Sequence, residues 1–246
     1  LTPMRLLVFQ HIAIEHPGIF RDFLREDGVR WDAVELDEGQ PIPDLRTYDA
    51  LWVMGGPMDV WDVEENPWLI PEKRAIRQWV RELRRPFLGI CLGHQLLADS
   101  VGGTCGPQRP PEVGIMEVSL TEDGKRDPVF ARQPHTAKAL QWHGVRVAQP
   151  PEDAVVLASS PACRVQAMRV GDRAWSAQYH VELEDNTITA WGCVPEYAAA
   201  LEKTHGAGAL QRMADEAKPL MPTFKDCARR LYQDFMKAAS AMAVAG

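Results

Sequence analysis

The first half of the chain alternates short apolar runs with amphipathic stretches, and this alternation restricts the fold more than any other feature. Four apolar runs, at residues 6–9, 31–36, 50–54 and 86–90, have the length and composition of strands. Between them, residues 19–24 and 71–83 carry apolar side chains at helical spacing. Strands that alternate with helices form parallel sheets covered by helices on both faces. We therefore expect a three-layer α/β fold with a mostly parallel central sheet.

The rest of the chain predicts two additions to this sheet. Residues 115–120, 154–158, 165–170 and 174–179 are strand-like and are separated by turn signals, which indicates a small antiparallel strand section. After Leu183 the composition becomes helical and rich in alanine. The 246 residues suit one generous domain. We expect a main α/β domain over residues 1–184 and a C-terminal helical extension, residues 185–246, packed on the same domain.

Charge and cysteine content exclude several classes of function. The net charge of −7 leaves no excess of basic residues for nucleic acid or an anionic membrane. No apolar stretch approaches the roughly 20 residues that span a bilayer, and the apolar run at the N-terminus is too short for a signal peptide. Five scattered cysteines without a C-x-x-C pair indicate reduced thiols and no zinc site. We expect a cytoplasmic protein without metal or cofactor.

One cysteine has the local sequence of a nucleophile. Cys91 follows the apolar run 86–90 and lies between Gly89 and Gly93. Small residues on both sides permit a strained turn from strand to helix, which lifts the side chain out of the sheet. The helix N-terminus favours the thiolate, and its N–H groups can stabilise an oxyanion. The alternative, a buried structural cysteine, remains open on this motif alone.

A cysteine nucleophile needs a base and a group that orients it. His180 and Glu182 follow the strand-like run 174–179, and in an extended segment they point to the same side. An ordinary histidine at a strand end, or a pair of metal ligands, would also fit this local pattern. Gly55 and Gly56 end the third apolar run, where they form either part of an oxyanion hole or a simple turn.

Together these motifs resemble the class I (triad) glutamine amidotransferase family. The match lies in Gly-Gly-Pro at 55–57, Gly-Ile-Cys-Leu-Gly-His-Gln at 89–95 and Tyr-His-Val-Glu at 179–182. Gln-Trp-His-Gly at 141–144 is similar to stand-alone members related to the amidotransferase domain of GMP synthetase. The resemblance implies a flavodoxin-like amidotransferase fold. It also implies that Cys91, His180 and Glu182 are catalytic and that Gly56 and Leu92 form the oxyanion hole. The substrate-binding residues that it implies are Gly55, Gln95, His143, Gly144 and Val145.

By this resemblance, Cys91 attacks the side-chain amide of glutamine or a γ-glutamyl compound and forms a γ-glutamyl thioester. His180 then acts as acid and base, and Glu182 orients it. Two positions depart from the family. Val181 stands where proline is common, and Val145 stands where an acidic residue often follows His-Gly. The second departure weakens the case for free glutamine as the natural substrate.

Three functions stay open on the sequence. The first is an amidase that delivers ammonia to a synthetase or other acceptor subunit in trans, because the chain has no phosphate-binding loop of its own. The second is a free-standing γ-glutamyl hydrolase or transferase. The third is an inactive binding or regulatory module with the same fold.

Overall fold

A single mixed sheet runs through the protein. The computed structural model describes residues 4–244, and its nine strands lie in the order β2-β1-β3-β4-β9-β8-β7-β5-β6. Their bounds are β1 Arg5–Gln10, β2 Arg30–Glu35, β3 Ala50–Val53, β4 Phe87–Ile90, β5 Thr104–Leu120, β6 Thr136–Gln149, β7 Ala154–Ser159, β8 Ala167–Val170 and β9 Ala174–Ala177.

The sheet has a parallel part and an antiparallel part. Strands β2, β1, β3, β4 and β9 are parallel to one another, while β8, β7, β5 and β6 continue the same sheet in antiparallel pairing. The carboxyl ends of β3, β4 and β9 therefore meet at one edge, where ligands bind in open α/β sheets.

Helices cover both faces of the sheet, as expected. Their bounds are α1 Phe20–Glu26, α2 Leu69–Arg77, α3 Leu92–Ser100, α4 Thr187–Trp191, α5 Pro195–His205, α6 Ala209–Ala217 and α7 Met221–Val244. Apolar residues of α1 and α7 pack on one face of the sheet, and those of α2 and α3 pack on the other. The predicted three-layer α/β class is confirmed.

The helices that follow β9 in the chain pack against two different parts of the sheet. Helices α4, α5 and α6 form a third apolar cluster with Val113 of β5 and with Leu140 and Trp142 of β6. Helix α7 returns to the main sheet, where Tyr232 and Phe235 pack among the aromatic side chains of the core. No helix within residues 4–244 is long and apolar enough to cross a membrane.

Candidate active site

Cys91 lies in a strained turn between β4 and α3. Its backbone has φ 52° and ψ −104°, a conformation that non-glycine residues rarely adopt. Close packing around the turn requires glycine on both sides of Cys91. A Cβ on Gly93 would lie 2.0 Å from the carbonyl oxygen of Val53. A Cβ on Gly89 would lie 2.5 Å from the carbonyl oxygen of Gly93. Helix α3 can thus begin directly above the ends of β3 and β4, with the thiol at its N-terminus.

His180 and Glu182 lie just beyond the end of β9, next to the thiol. The Nδ1 atom of His180 is 2.9 Å from Oε1 of Glu182, and both side chains are buried. Its Nε2 atom has no hydrogen-bond partner among the described residues. Burial lowers the pKa of His180, but the charges of Glu182 and Cys91 outweigh this effect and raise it well above 6.5. The pair therefore favours an imidazolium beside the sulfur.

Val181, the departure from the common proline, has a contact that proline could not make. Its backbone N–H donates to Oε2 of Glu182 at 2.8 Å, so both carboxylate oxygens are engaged. Because proline has no N–H, the substitution adds a hydrogen bond that holds the carboxylate against His180.

Two backbone N–H groups flank the thiol and have no acceptor among the described residues: those of Gly56 and Leu92. Both residues line the same cleft as Cys91. They also lie close to each other, because a Cβ on Gly56 would lie 3.1 Å from Cδ2 of Leu92. This arrangement suits an oxyanion hole, which needs free N–H donors directed at one point.

A cleft opens above the thiol. Besides Cys91 and the two N–H groups, the predicted residues Gln95, His143, Gly144 and Val145 line it. Helix α5 supplies part of the opposite wall through Glu196, Tyr197 and Ala200. The helical segment after β9 is therefore part of the cleft and not only a cover for the sheet.

Three residues predicted to bind substrate have other contacts. Gly55 does not line the cleft; it lies behind it, where a Cβ would be 2.0 Å from Oε2 of Glu15 and 3.3 Å from Cε1 of His180. His143 lines the cleft, but its Nδ1 is 2.7 Å from the carbonyl oxygen of Val145 and its Nε2 is 2.9 Å from Glu112. Both nitrogens are thus engaged within the protein. Gln95 likewise donates to the Val145 carbonyl at 3.1 Å.

Several side chains around the thiol have no motif that singles them out. The Nε2 atom of Gln178 donates to the sulfur of Cys91 at 3.6 Å. The indole of Trp191 lies edge-on to the His180 ring, with centroids 4.4 Å apart. Tyr197 donates a hydrogen bond to the buried carboxyl of Glu15. Burial raises the pKa of Glu15 to about 7. These residues converge only through the tertiary fold, so local spacing could not indicate them.

Among the described residues, no cluster of three or more His, Cys, Asp or Glu side chains could hold a metal ion. The residues that line the cleft include Cys91 and the acidic residues Asp59 and Glu196. His180 and Glu182 are buried and do not line it.

Comparisons with known proteins identify the family of the chain. The model of the family "Glutamine amidotransferase class-I" matches residues 20–188, which is more than half of the chain. The chain belongs to the class-I glutamine amidotransferase family.

Individual relatives include proteins with two different functions. The chain is 30% identical over 154 residues to a subunit of the glutamine-hydrolyzing GMP synthase of Sulfolobus acidocaldarius, covering 62% of this chain and 77% of the relative. It is 27% identical over 172 residues to Gamma-glutamyl peptidase 3 of Arabidopsis thaliana, covering 67% and 68%. The crystal structure of a glutamine amidotransferase from Thermotoga maritima matches 96% of this chain and 99% of that chain, with a TM-score of 0.84 and 26% identity.

Proposed function

We propose that this protein is a cysteine-dependent amidase that acts on the side-chain amide of glutamine or of a γ-glutamyl compound. The observation that carries the proposal is the buried His180–Glu182 pair beside a cysteine held at positive φ on a helix N-terminus. The family and the two groups of relatives support amide hydrolysis at a γ-glutamyl group.

In the proposed reaction, the Cys91 thiolate attacks the amide carbon, and the N–H groups of Gly56 and Leu92 stabilise the oxyanion. His180 gives its proton to the leaving amine, so that the C–N bond breaks and a γ-glutamyl thioester remains on Cys91. His180 then takes a proton from water, which attacks the thioester and releases the acid. Glu182 keeps the imidazole oriented in both steps.

Covalent labelling tests this proposal. A diazo-ketone analogue of glutamine should alkylate Cys91, and peptide mass mapping should find the adduct there. Cys91→Ser should abolish labelling, whereas Cys193→Ser should leave it unchanged, because Cys193 is exposed and does not line the cleft. Labelling of another thiol with Cys91 unmodified would refute the assignment.

A second candidate is a free-standing γ-glutamyl hydrolase or transferase, as opposed to an amidase that supplies ammonia to a partner in the cytoplasm. The observation that favours it is the wall formed by α5, since Glu196, Tyr197 and Ala200 of this same chain line the cleft. The buried Val145 at the position of the family's common acidic residue also disfavours free glutamine.

A panel of γ-glutamyl amides separates these two functions. A free-standing enzyme should turn over at least one γ-glutamyl amine or peptide rapidly without other proteins. A partner-dependent amidase should show weak glutaminase activity alone and a marked increase when cell extract is added.

A further inference from the structure

A buried ion pair lies behind the cleft and contributes no reacting group to the proposed reaction. His11, which follows β1, places its Nε2 atom 2.6 Å from Oε1 of Glu72 in the first turn of α2. Neither side chain is exposed to solvent. The ring stacks on Trp68, with centroids 5.5 Å apart. A pair so fully buried loses the solvation of both charges, so its remaining hydrogen bonds must offset part of that cost.

The second nitrogen of His11 contacts the backbone of the Gly-Gly turn. Its Nδ1 atom is 2.9 Å from the carbonyl oxygen of Gly55. A carbonyl oxygen only accepts hydrogen bonds, so Nδ1 carries a proton and donates a hydrogen bond to the carbonyl oxygen of Gly55. The contact with the Glu72 carboxylate at Nε2 needs a proton as well. The geometry therefore corresponds to an imidazolium held between a carboxylate and a peptide carbonyl.

The Gly55 carbonyl belongs to the same peptide unit as the N–H of Gly56. In a trans peptide these two groups point in opposite directions, and the unit is planar and stiff. A donor that holds the carbonyl from behind therefore fixes the N–H toward the front, where Gly56 and Cys91 line the cleft. His11 is also packed against this turn, since a Cβ on Gly56 would lie 2.9 Å from the Cβ of His11.

We propose that His11 and Glu72 are positioning residues for the oxyanion hole: they hold the Gly55–Gly56 peptide so that the Gly56 N–H faces the thiol. A cation at the carbonyl also polarises the peptide, which makes its N–H a stronger donor. Burial lowers the pKa of His11, but the charge and hydrogen bond of Glu72 raise it above its ordinary value. This agrees with a protonated ring. The inference depends on the proposed function, because the N–H acts in catalysis only if Cys91 attacks a carbonyl.

Two reactions of Cys91 separate a positioning role from a structural one. Acylation by γ-glutamyl p-nitroanilide develops an oxyanion, whereas alkylation by iodoacetamide displaces iodide and develops none. In His11→Leu the acylation rate should fall by roughly 10- to 100-fold, somewhat less than the loss of an entire oxyanion-hole donor. The alkylation rate and KM should stay close to wild type.

His11→Asn is the matched control, because the asparagine amide can place an N–H near the position of Nδ1. This variant should retain most of the acylation rate, while Glu72→Gln should fall between the two. Equal loss of acylation and alkylation in His11→Leu would mean that the pair only supports the fold, and unchanged acylation would mean that it plays no part. Either result overturns the inference.

An NMR measurement tests the inference without activity. The amide proton resonance of Gly56 should move in His11→Leu and remain near its wild-type position in His11→Asn. If the wild type hydrolyses no γ-glutamyl compound, the proposed function fails while this test still decides the geometry. A Gly56 resonance that is unchanged in His11→Leu would contradict the inferred contact.

Discussion

Replacing Glu15 with glutamine should raise the stability of the protein, relative to wild type, more at alkaline pH than at acidic pH. Glu15 is fully buried, and its carboxylate oxygen Oε1 accepts a hydrogen bond from the hydroxyl of Tyr197. The other oxygen, Oε2, is buried without a hydrogen-bond partner among the described residues. Burial raises the pKa of Glu15 to about 7 from its ordinary 4.5.

The sign and size of the effect follow from this pKa. The folded protein binds the Glu15 proton more tightly than the unfolded chain, so the stabilisation is fully present below pH 4.5 and is lost as the pH rises through about 7. Each factor of ten in proton affinity corresponds to about 1.4 kcal/mol, so the loss for the wild type between pH 5 and 8 is about 2–3 kcal/mol. Glutamine does not titrate and avoids this loss.

Urea unfolding at several pH values measures the difference. The free energy of unfolding of Glu15→Gln, relative to wild type, should increase by about 2–3 kcal/mol from pH 5 to pH 8. A constant cost of burying the amide cancels in this comparison. Glu38→Gln makes the same substitution at an exposed position and is the matched control. A difference between Glu15→Gln and wild type that stays constant with pH would refute the reasoning.

Two further substitutions test the triad and the turn. Glu182→Gln should lower kcat/KM for a γ-glutamyl anilide by roughly 10²- to 10⁴-fold. It should also lower the pKa of His180, which Glu182 raises, so that NMR titration finds the imidazolium lost at lower pH than in wild type. Gly93→Ala should destabilise the protein by about 1–3 kcal/mol in urea, because the added Cβ meets the Val53 carbonyl oxygen at 2.0 Å. Gly106→Ala is the control, since its Cβ would make only an ordinary contact at 3.7 Å; equal destabilisation of both would contradict the packing argument.

The parallel part of the fold is predictable from the sequence because its strands are buried on both faces. Runs such as 50–54 and 86–90 are continuously apolar, and they form β3 and β4 within a residue or so. The sharp change from strand to helix at Cys91 is equally visible, since only small neighbours permit it.

The antiparallel part is predicted less completely. Strand β5 begins at Thr104, well before the expected start at residue 115, and it includes the prolines at 107, 110 and 111. A register shift between Pro107 and Glu112 accommodates them, and proline is tolerated at such irregularities. Strand β6 is missing from the prediction, although it carries His143, because its polar residues interrupt the alternation that identifies a strand.

The candidate site also contains residues that the sequence indicates and residues that it does not. Cys91, His180 and Glu182 can be proposed from sequence because each lies at a strand end with a local pattern. Glu15 and Tyr197 cannot, because they are 182 positions apart and meet only after α5 packs beside the cleft. Contacts of this kind depend on tertiary packing, which local spacing does not encode.

Trapping of the acyl-enzyme tests the central claim most directly. The protein is mixed with a γ-glutamyl anilide, quenched in acid within the first turnover, digested and mapped by mass. The account predicts a γ-glutamyl group on Cys91 that hydroxylamine releases. Turnover of the anilide with no adduct on Cys91, or with the adduct on another residue, would contradict it.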